Sequence, residues 1–203
     1  MADTQRPELV LASASGARRR LLEAAGLAFR VVPADVDEAA IKRGLAKKHE
    51  NAEGVVEALA RAKAVHVSAS LPEALVIGAD QVLALGEELF DKPRDRAEAR
   101  AQLMLLRGKT HRLWCGMSLA VGSRSVWHSV DCATLSMRGF SEAFLDGYLD
   151  AAGPAVMSSV GGYELEGLGI QLFERVDGDF FTILGLPLLP LLTELRARGA
   201  IDS

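Results

Sequence analysis

Leu9-Val10-Leu11-Ala12 runs directly into Ser13-Ala14-Ser15-Gly16-Ala17-Arg18. The apolar run predicts a short buried strand at 9–12, and the small polar residues a turn at 13–16. The helical spacing that follows predicts a helix from Arg18 to Ala25, with Leu21 and Leu22 on its apolar face and Gly26 as its stop. A strand that feeds a helix through a tight turn is a building unit of an α/β fold. Such a turn also favours an anion, because it exposes backbone N–H groups at the positive end of the helix dipole. Ser13 and Ser15 can donate hydroxyl hydrogen bonds there, and Arg18 can return to the same anion from the first turn. An N-cap serine followed by a solvated arginine face explains the same residues without a ligand.

Working outward, 29–33 reads as a second strand and Ala34-Asp35-Val36-Asp37-Glu38 as an acidic loop. Val55, Val56, Leu59, Ala62 and Val65 give helical spacing over 53–70. Residues 75–78 read as a strand that delivers Asp80, and Gly86 supplies the freedom for a hairpin turn at 85–88. Asp95 with Glu98 forms a capping-box pattern that opens a helix ending at Gly108. Two strand-like runs at 109–121 and 124–137, joined at Gly122-Ser123, predict a hairpin. Ser141 caps a helix to about Ala151. A glycine-rich segment covers 153–169. Strands are expected at 170–176 and 180–184, around an Asp177-Gly178-Asp179 turn, and Pro187 starts a last helix that ends near Gly199. Strands and helices interleave, with one antiparallel pair, so the class is α/β with a mixed sheet and flanking helices, in a single domain over 1–203.

The 203 residues are 49% hydrophobic and 25% charged, enough for a sizeable core. A net charge of −4 argues against a nucleic-acid partner held by a broad basic field, but not against a small anion held by a local Arg/Lys cluster. Cys115 and Cys132 have no zinc spacing and no disulfide framework, which suggests core thiols in a reducing compartment. The stretch Met1-Ala2-Asp3-Thr4-Gln5-Arg6-Pro7 lacks the apolar core of a leader, and no run has membrane-spanning length. A cytoplasmic protein without a membrane partner is expected.

Val76-Ile77-Gly78-Ala79-Asp80-Gln81-Val82 places a carboxylate inside an apolar strand. Such an acid needs a strong partner, a cation or a metal ion; a paired structural aspartate satisfies that need as well. Glu38 follows one strand and Asp80 ends another, and ligands of open α/β sheets collect at carboxyl ends of strands. Together the two acids can hold a magnesium ion, or one can deprotonate a water. Glu38 can equally be a helix-entry charge. Lys63 on the 53–70 helix and Lys92 before Pro93 can contact phosphate as point charges, or stand as solvated surface residues. Gly108-Lys109-Thr110 lacks the first glycine of a P-loop, and the glycines of 161–169 do not fit a dinucleotide fingerprint. Glu166 in that segment can accept hydrogen bonds from a base.

These blocks, in order and over nearly the whole chain, resemble the Maf family of nucleotide pyrophosphatases. The resemblance lies in Leu11-Ala12-Ser13-Ala14-Ser15 with Arg18, in Val36-Asp37-Glu38, in Leu59-Ala60-Arg61-Ala62-Lys63-Ala64, in Gly78-Ala79-Asp80-Gln81, in Lys92-Pro93, in 159–169 and in Gly185-Leu186-Pro187-Leu188. It implies a mixed sheet with a cleft between two lobes, and hydrolysis of the α–β phosphate bond of a nucleoside triphosphate, a modified or non-canonical one by expectation, to a monophosphate and pyrophosphate with a divalent cation, magnesium by preference. It also implies a homodimer. By carry-over Asp80 is the general base, Ser13, Ser15, Arg18, Lys63 and Lys92 bind substrate, and Glu38 with Asp80 places the metal.

The chain departs from the family's Ser-Pro-Arg-Arg, carrying Gly16 and Ala17 after Ser15. The first change loosens the turn and the second removes one candidate substrate contact. Gln81 and Glu166 resemble the branch that cleaves 7-methyl-GTP rather than the dTTP/UTP branch, and a carboxylate at 166 suits the N1–H and amine of a guanine edge. Ala17 matches neither branch. The alternative function is a nucleotide-binding regulator of cell division without significant hydrolysis; it needs the phosphate cradle but not both acids.

Overall fold

The alternation of polar and apolar residues, read strand by strand, explains the architecture. In a computed structural model, which describes residues 6–202, seven strands form one mixed sheet in the order β2-β1-β3-β5-β6-β7, with β4 also paired to β3. The expectation about a leader at the N-terminus concerns mainly residues 1–5, which lie outside the described residues. No helix of the described residues is long and apolar enough to cross a membrane.

The strands are β1 (Leu9–Leu11), β2 (Arg30–Val31), β3 (Leu75–Leu85), β4 (Glu88–Phe90), β5 (Thr110–Val121), β6 (Arg124–Met137) and β7 (Phe173–Asp177). The helices are α1 (Gly16–Ala24), α2 (Glu38–Ala46), α3 (Ala52–Ser70), α4 (Arg96–Leu106), α5 (Glu142–Ala152), α6 (Phe180–Ile183) and α7 (Leu188–Ala197). Only β1 pairs in parallel, with β2 and β3; every other pairing is antiparallel, so the sheet holds more antiparallel pairs than the one hairpin read from the sequence.

Successive side chains of a strand point to opposite faces. Leu75, Ile77 and Ala79 of β3 share one apolar cluster with Leu22 of α1 and Leu188, Leu191 and Leu195 of α7. Val76 and Val82 face the other way, toward the buried side of α3, where Val67 meets Val76 and Val55, Val56 and Leu59 meet Val82. Farther along β3, Leu83 joins α4 and α5 in a third core region. Two glycines let α3 lie unusually close to the sheet. A Cβ on Gly78 would sit 2.3 Å from the Ala60 carbonyl oxygen, and one on Gly116 would sit 2.6 Å from that of Val56.

Four expectations are corrected. Residues 180–184 form the one-turn helix α6, not a strand. Asp179 caps it by accepting from the Thr182 N–H at 3.0 Å, and this local capping overrides the β-propensity of Phe-Phe-Thr-Ile. The acidic loop 34–38 ends in an unread helix, α2, whose N-cap is Asp37 at 2.8 Å from the Ala40 N–H. The strand expected from residue 170 begins at Phe173, because Leu168–Leu172 winds as a 3-10 turn. Finally, β3 does not end near Asp80 but runs on to Leu85.

That last correction locates the cleft. On one edge of β3, β1 pairs as far as Ile77, and β4 takes over only at Leu83. The other edge is covered throughout by β5. Residues 78–82 therefore form a notch in the sheet edge, with Asp80 at its centre.

Candidate active site

A cleft of about 750 Å³ opens at this notch. Ser13, Ser15, Arg18, Glu38, Lys63, Asp80, Gln81, Lys92 and Glu166 all line it, so every residue singled out from the sequence is brought to one cavity.

The α1 turn forms one wall. Ser15 is the N-cap, its Oγ accepting from the Arg18 N–H at 3.4 Å. The N–H groups of Gly16 and Ala17 belong to the first turn and have no intrahelical acceptor. Ser13 Oγ accepts from the Ser15 N–H at 3.2 Å and from Arg18 Nη1 at 3.0 Å, which leaves its own hydroxyl proton free to donate. Arg18 is not a solvated residue. It is 8% exposed, and it donates from Nε to the Gly185 carbonyl at 2.7 Å and from Nη1 to the Ala79 carbonyl at 2.9 Å. The second bond uses a carbonyl left open by the notch. No carboxylate pairs with Arg18 among the described residues, and its Nη2 has no protein partner.

The opposite wall carries the acids. Asp80 points to the α3 face, where Lys63 Nζ lies 2.7 Å from Asp80 Oδ1 and 2.7 Å from Glu38 Oε1. The close approach allowed by Gly78 and Gly116 brings Lys63 within reach. Glu38 is the first residue of α2, so it is a helix-entry charge as well as a partner of this site; the two readings coexist. Lys92 also lacks a carboxylate partner among the described residues. Partial burial, then the like charges of Arg18 and Lys63, hold its ammonium below the ordinary lysine range, against the opposing pull of Asp80 and Glu38. Lys42, which the sequence did not single out, lines the cleft paired with Asp91.

Gln81 points to the other face of β3. Its Nε2 donates to the carbonyls of Thr182 at 3.1 Å and Ile183 at 2.9 Å. Glu166 is not free in the cleft: its Oε1 lies 3.7 Å from Arg20 Nη2, an arginine the sequence reading passed over. Arg20 folds back over the helix start, with its Nη1 3.3 Å from where a Cβ on Gly16 would sit. Burial pushes the Cys115 thiol up to about 12, as befits a packed thiol rather than a nucleophile.

In chemical terms the site offers cations and first-turn amides on one side and two converging carboxylates on the other. Comparison with known proteins identifies the family. The family described as Maf-like protein matches residues 8–198. A nucleoside triphosphate pyrophosphatase of Paramagnetospirillum magneticum is 58% identical over 95% of this chain and 99% of its own length. A second nucleoside triphosphate pyrophosphatase, from Bradyrhizobium diazoefficiens, is 53% identical over 95% of each chain. A 7-methyl-GTP pyrophosphatase of Rhizobium etli is 48% identical over 97% of this chain and 99% of its own. The chain belongs to the Maf-like family.

Proposed function

We propose that this chain hydrolyses a nucleoside triphosphate between the α- and β-phosphates, with Asp80 as general base and a guanine nucleotide, 7-methyl-GTP among the candidates, as preferred substrate. The activity class is that of a nucleoside triphosphate pyrophosphatase, as its relatives are named.

The observation that carries the reading is a buried guanidinium without a counter-ion. Arg18 is withdrawn from water, and no carboxylate compensates it among the described residues. A buried charge needs a partner, and a triphosphate supplies one. Lys92 and the open amides of α1 face the same space. Lys63 has three N–H donors and is hydrogen-bonded only to Asp80, with Glu38 an ion-pair partner, so donors remain for a phosphate oxygen.

Asp80 and Glu38 each give one oxygen to Lys63 Nζ, which brings the two carboxylates together at the cleft, and no third His, Cys, Asp or Glu joins them in a metal-holding group among the described residues. That donor set fits a divalent cation such as magnesium, which characteristically takes one or two carboxylates and completes its shell with water and substrate phosphate. When bound, such a cation neutralises phosphate charge and polarises the phosphoryl group. The protein does the rest. The cations fix the triphosphate in the cleft, and Asp80 accepts a proton from a water directed at the α-phosphorus. A P–O bond forms to that water as the bond to the bridging oxygen breaks, and pyrophosphate leaves. Glu166, at the cleft wall, can accept from the N1–H and amine of guanine once it parts from Arg20.

The test is pyrophosphate release with magnesium from 7-methyl-GTP, GTP, dTTP, UTP and CTP, for the wild type and Asp80→Asn. The variant is expected to lose roughly 10²–10⁴-fold in kcat while still binding nucleotide. Near-normal turnover by Asp80→Asn would remove the general-base role. Equal turnover of dTTP and 7-methyl-GTP would remove the base preference, and binding without release by the wild type would remove hydrolysis.

A further inference from the structure

Gln81, Cys115 and Asp131 stand directly opposite one another on β3, β5 and β6, so their side chains share one face of the sheet. The one-turn helix α6 lies over that row. A helix this short does not hold itself together, and its position depends on what ties it down. Thr182, fully buried, donates its hydroxyl to Asp131 Oδ2 at 2.6 Å, the shorter of two contacts, the other being the capping Asp179 Oδ2 at 3.3 Å; the second Asp131 oxygen accepts from the Cys132 N–H at 2.8 Å. The carbonyls of Thr182 and Ile183, at the C-terminal end of α6, are the two acceptors of the Gln81 amide.

This arrangement fixes which end of the amide meets the substrate. A flipped Gln81 would set its oxygen against two carbonyl oxygens, so only one orientation is chemically sound. Both N–H groups are then spent inside the protein. Oε1 has no protein partner among the described residues, and Gln81 lines the cleft. Gly185 stands beside that oxygen and is required by its backbone, with φ at +91°; a Cβ there would make only ordinary contacts, 3.6 Å from Gln81 Oε1 and 3.5 Å from Arg18 Nε. Gln81 thus offers the cleft an acceptor and no donor.

We infer that Asp131 is a positioning residue which, through Thr182 and the α6 carbonyls, locks Gln81 as a one-way acceptor that selects a nucleoside bearing an N–H or O–H donor at that point. The inference rests on the nucleotide reading above and deepens it. A donor on the substrate finds a partner, whereas an acceptor or a bare C–H leaves Oε1 desolvated and unpaired. The donor belongs either to the base, as an exocyclic amine, or to the sugar, as a hydroxyl.

The experiment has two readouts on Asp131→Ala, Thr182→Val and Thr182→Ser. The first is hydrogen exchange of the Gln81 side-chain amide followed by NMR in the substrate-free protein. Slow exchange is expected in the wild type and in Thr182→Ser, which keeps the hydroxyl, and fast exchange in the other two. The second is the ratio of kcat/KM for GTP over ITP, which lacks the 2-amino group, and for GTP over 2′-deoxy-GTP, which lacks the sugar hydroxyl. Asp131→Ala and Thr182→Val should lower one of these ratios by roughly ten-fold, with Thr182→Ser near the wild type; which ratio falls identifies the donor. A protected amide in Asp131→Ala would overturn the positioning role. A mobile amide with both ratios unchanged, or a uniform loss of activity without a change in either ratio, would overturn the selection. A wild type with no turnover on any nucleotide would refute the proposed activity instead, and the amide exchange would still decide the role of Asp131.

Discussion

Gly78→Ala adds one methyl group at the closest contact between sheet and helix, and its consequences can be worked from the geometry. The new Cβ would lie 2.3 Å from the Ala60 carbonyl oxygen, 2.6 Å from the Ala64 nitrogen and 2.8 Å from the Ala64 Cβ. Two of these obstacles are helix backbone, so no rotamer change relieves them. Relief requires α3 to retreat by roughly 1 Å, since packed atoms that are not hydrogen-bonded sit about 3.5 Å apart at best. The helix carries Val55, Val56, Leu59 and Val67 into two apolar clusters, and lifting it loosens them together. Overpacking of this kind costs about 1–3 kcal/mol, and a backbone obstacle puts the expected loss near the upper end. Lys63 lies one turn past Ala60 on the same helix, so the retreat also stretches its 2.7 Å contact with Asp80. A displacement of roughly 1 Å at a reacting constellation costs on the order of 100-fold in rate. Urea unfolding followed by circular dichroism measures the first effect and pyrophosphate release the second. Gly44→Ala, with nothing within 4 Å of the added carbon, is the control and should gain up to about 1 kcal/mol from helix propensity. Wild-type stability in Gly78→Ala would refute the close-approach argument. A large stability loss with undiminished activity would refute the claim that this contact sets the Lys63–Asp80 distance.

Two further outcomes follow from titrating groups. The Lys92 ammonium is held below its unfolded value, so the unfolded chain binds its proton more readily, and charged Lys92 costs stability until the pH rises past the unfolded value. Lys92→Met should therefore melt no lower than the wild type at neutral pH in the absence of nucleotide, yet bind a triphosphate roughly ten-fold or more weakly by calorimetry; a lower melting temperature with unchanged affinity would contradict this. His111 is buried, its Nε2 2.8 Å from the Tyr163 hydroxyl and its Nδ1 without a partner, and desolvation lowers its pKa from 6.5 to about 4. The neutral form is favoured in the fold, so its contribution is whole above pH 6.5 and is lost as the pH falls to 4, about 3 kcal/mol in all. His111→Gln should flatten that part of the stability profile, measured by urea unfolding at pH 7, 5.5 and 4, and an unaltered slope would exclude His111 as its source.

Why some of this was legible in the sequence and some was not has a physical explanation. The elements that announce themselves do so by local chemistry: Ser15, Asp95 and Ser141 each accept from the N–H three residues on, as their caps predict. The hairpin at Gly122-Ser123 forms where a turn signal separates two alternating runs. Misreadings fall where tertiary contacts outvote propensity. Phe180–Ile183 has strand composition but is wound into a turn by Asp179 and tied to β6 by Thr182. The candidate site was recoverable because several blocks pointed the same way, an acid in an apolar strand, a serine- and arginine-bearing turn, a second acid, two lysines and the ordered resemblance that added Gln81, and all nine residues singled out reach the cleft. Their arrangement was not recoverable, because it depends on register. Nothing local to Asp80 says that β1 stops pairing at Ile77 and β4 starts at Leu83, and that interruption turns a mid-strand aspartate into the floor of a cleft. Asp131 shows the same limit more sharply. It too is a carboxylate inside a strand, the signal that singled out Asp80, yet only the pairing of Gln81 with Cys115 and of Cys115 with Asp131 reveals what it faces. A carboxylate in mid-strand is thus legible as a demand for a partner; which partner answers is decided two strands away.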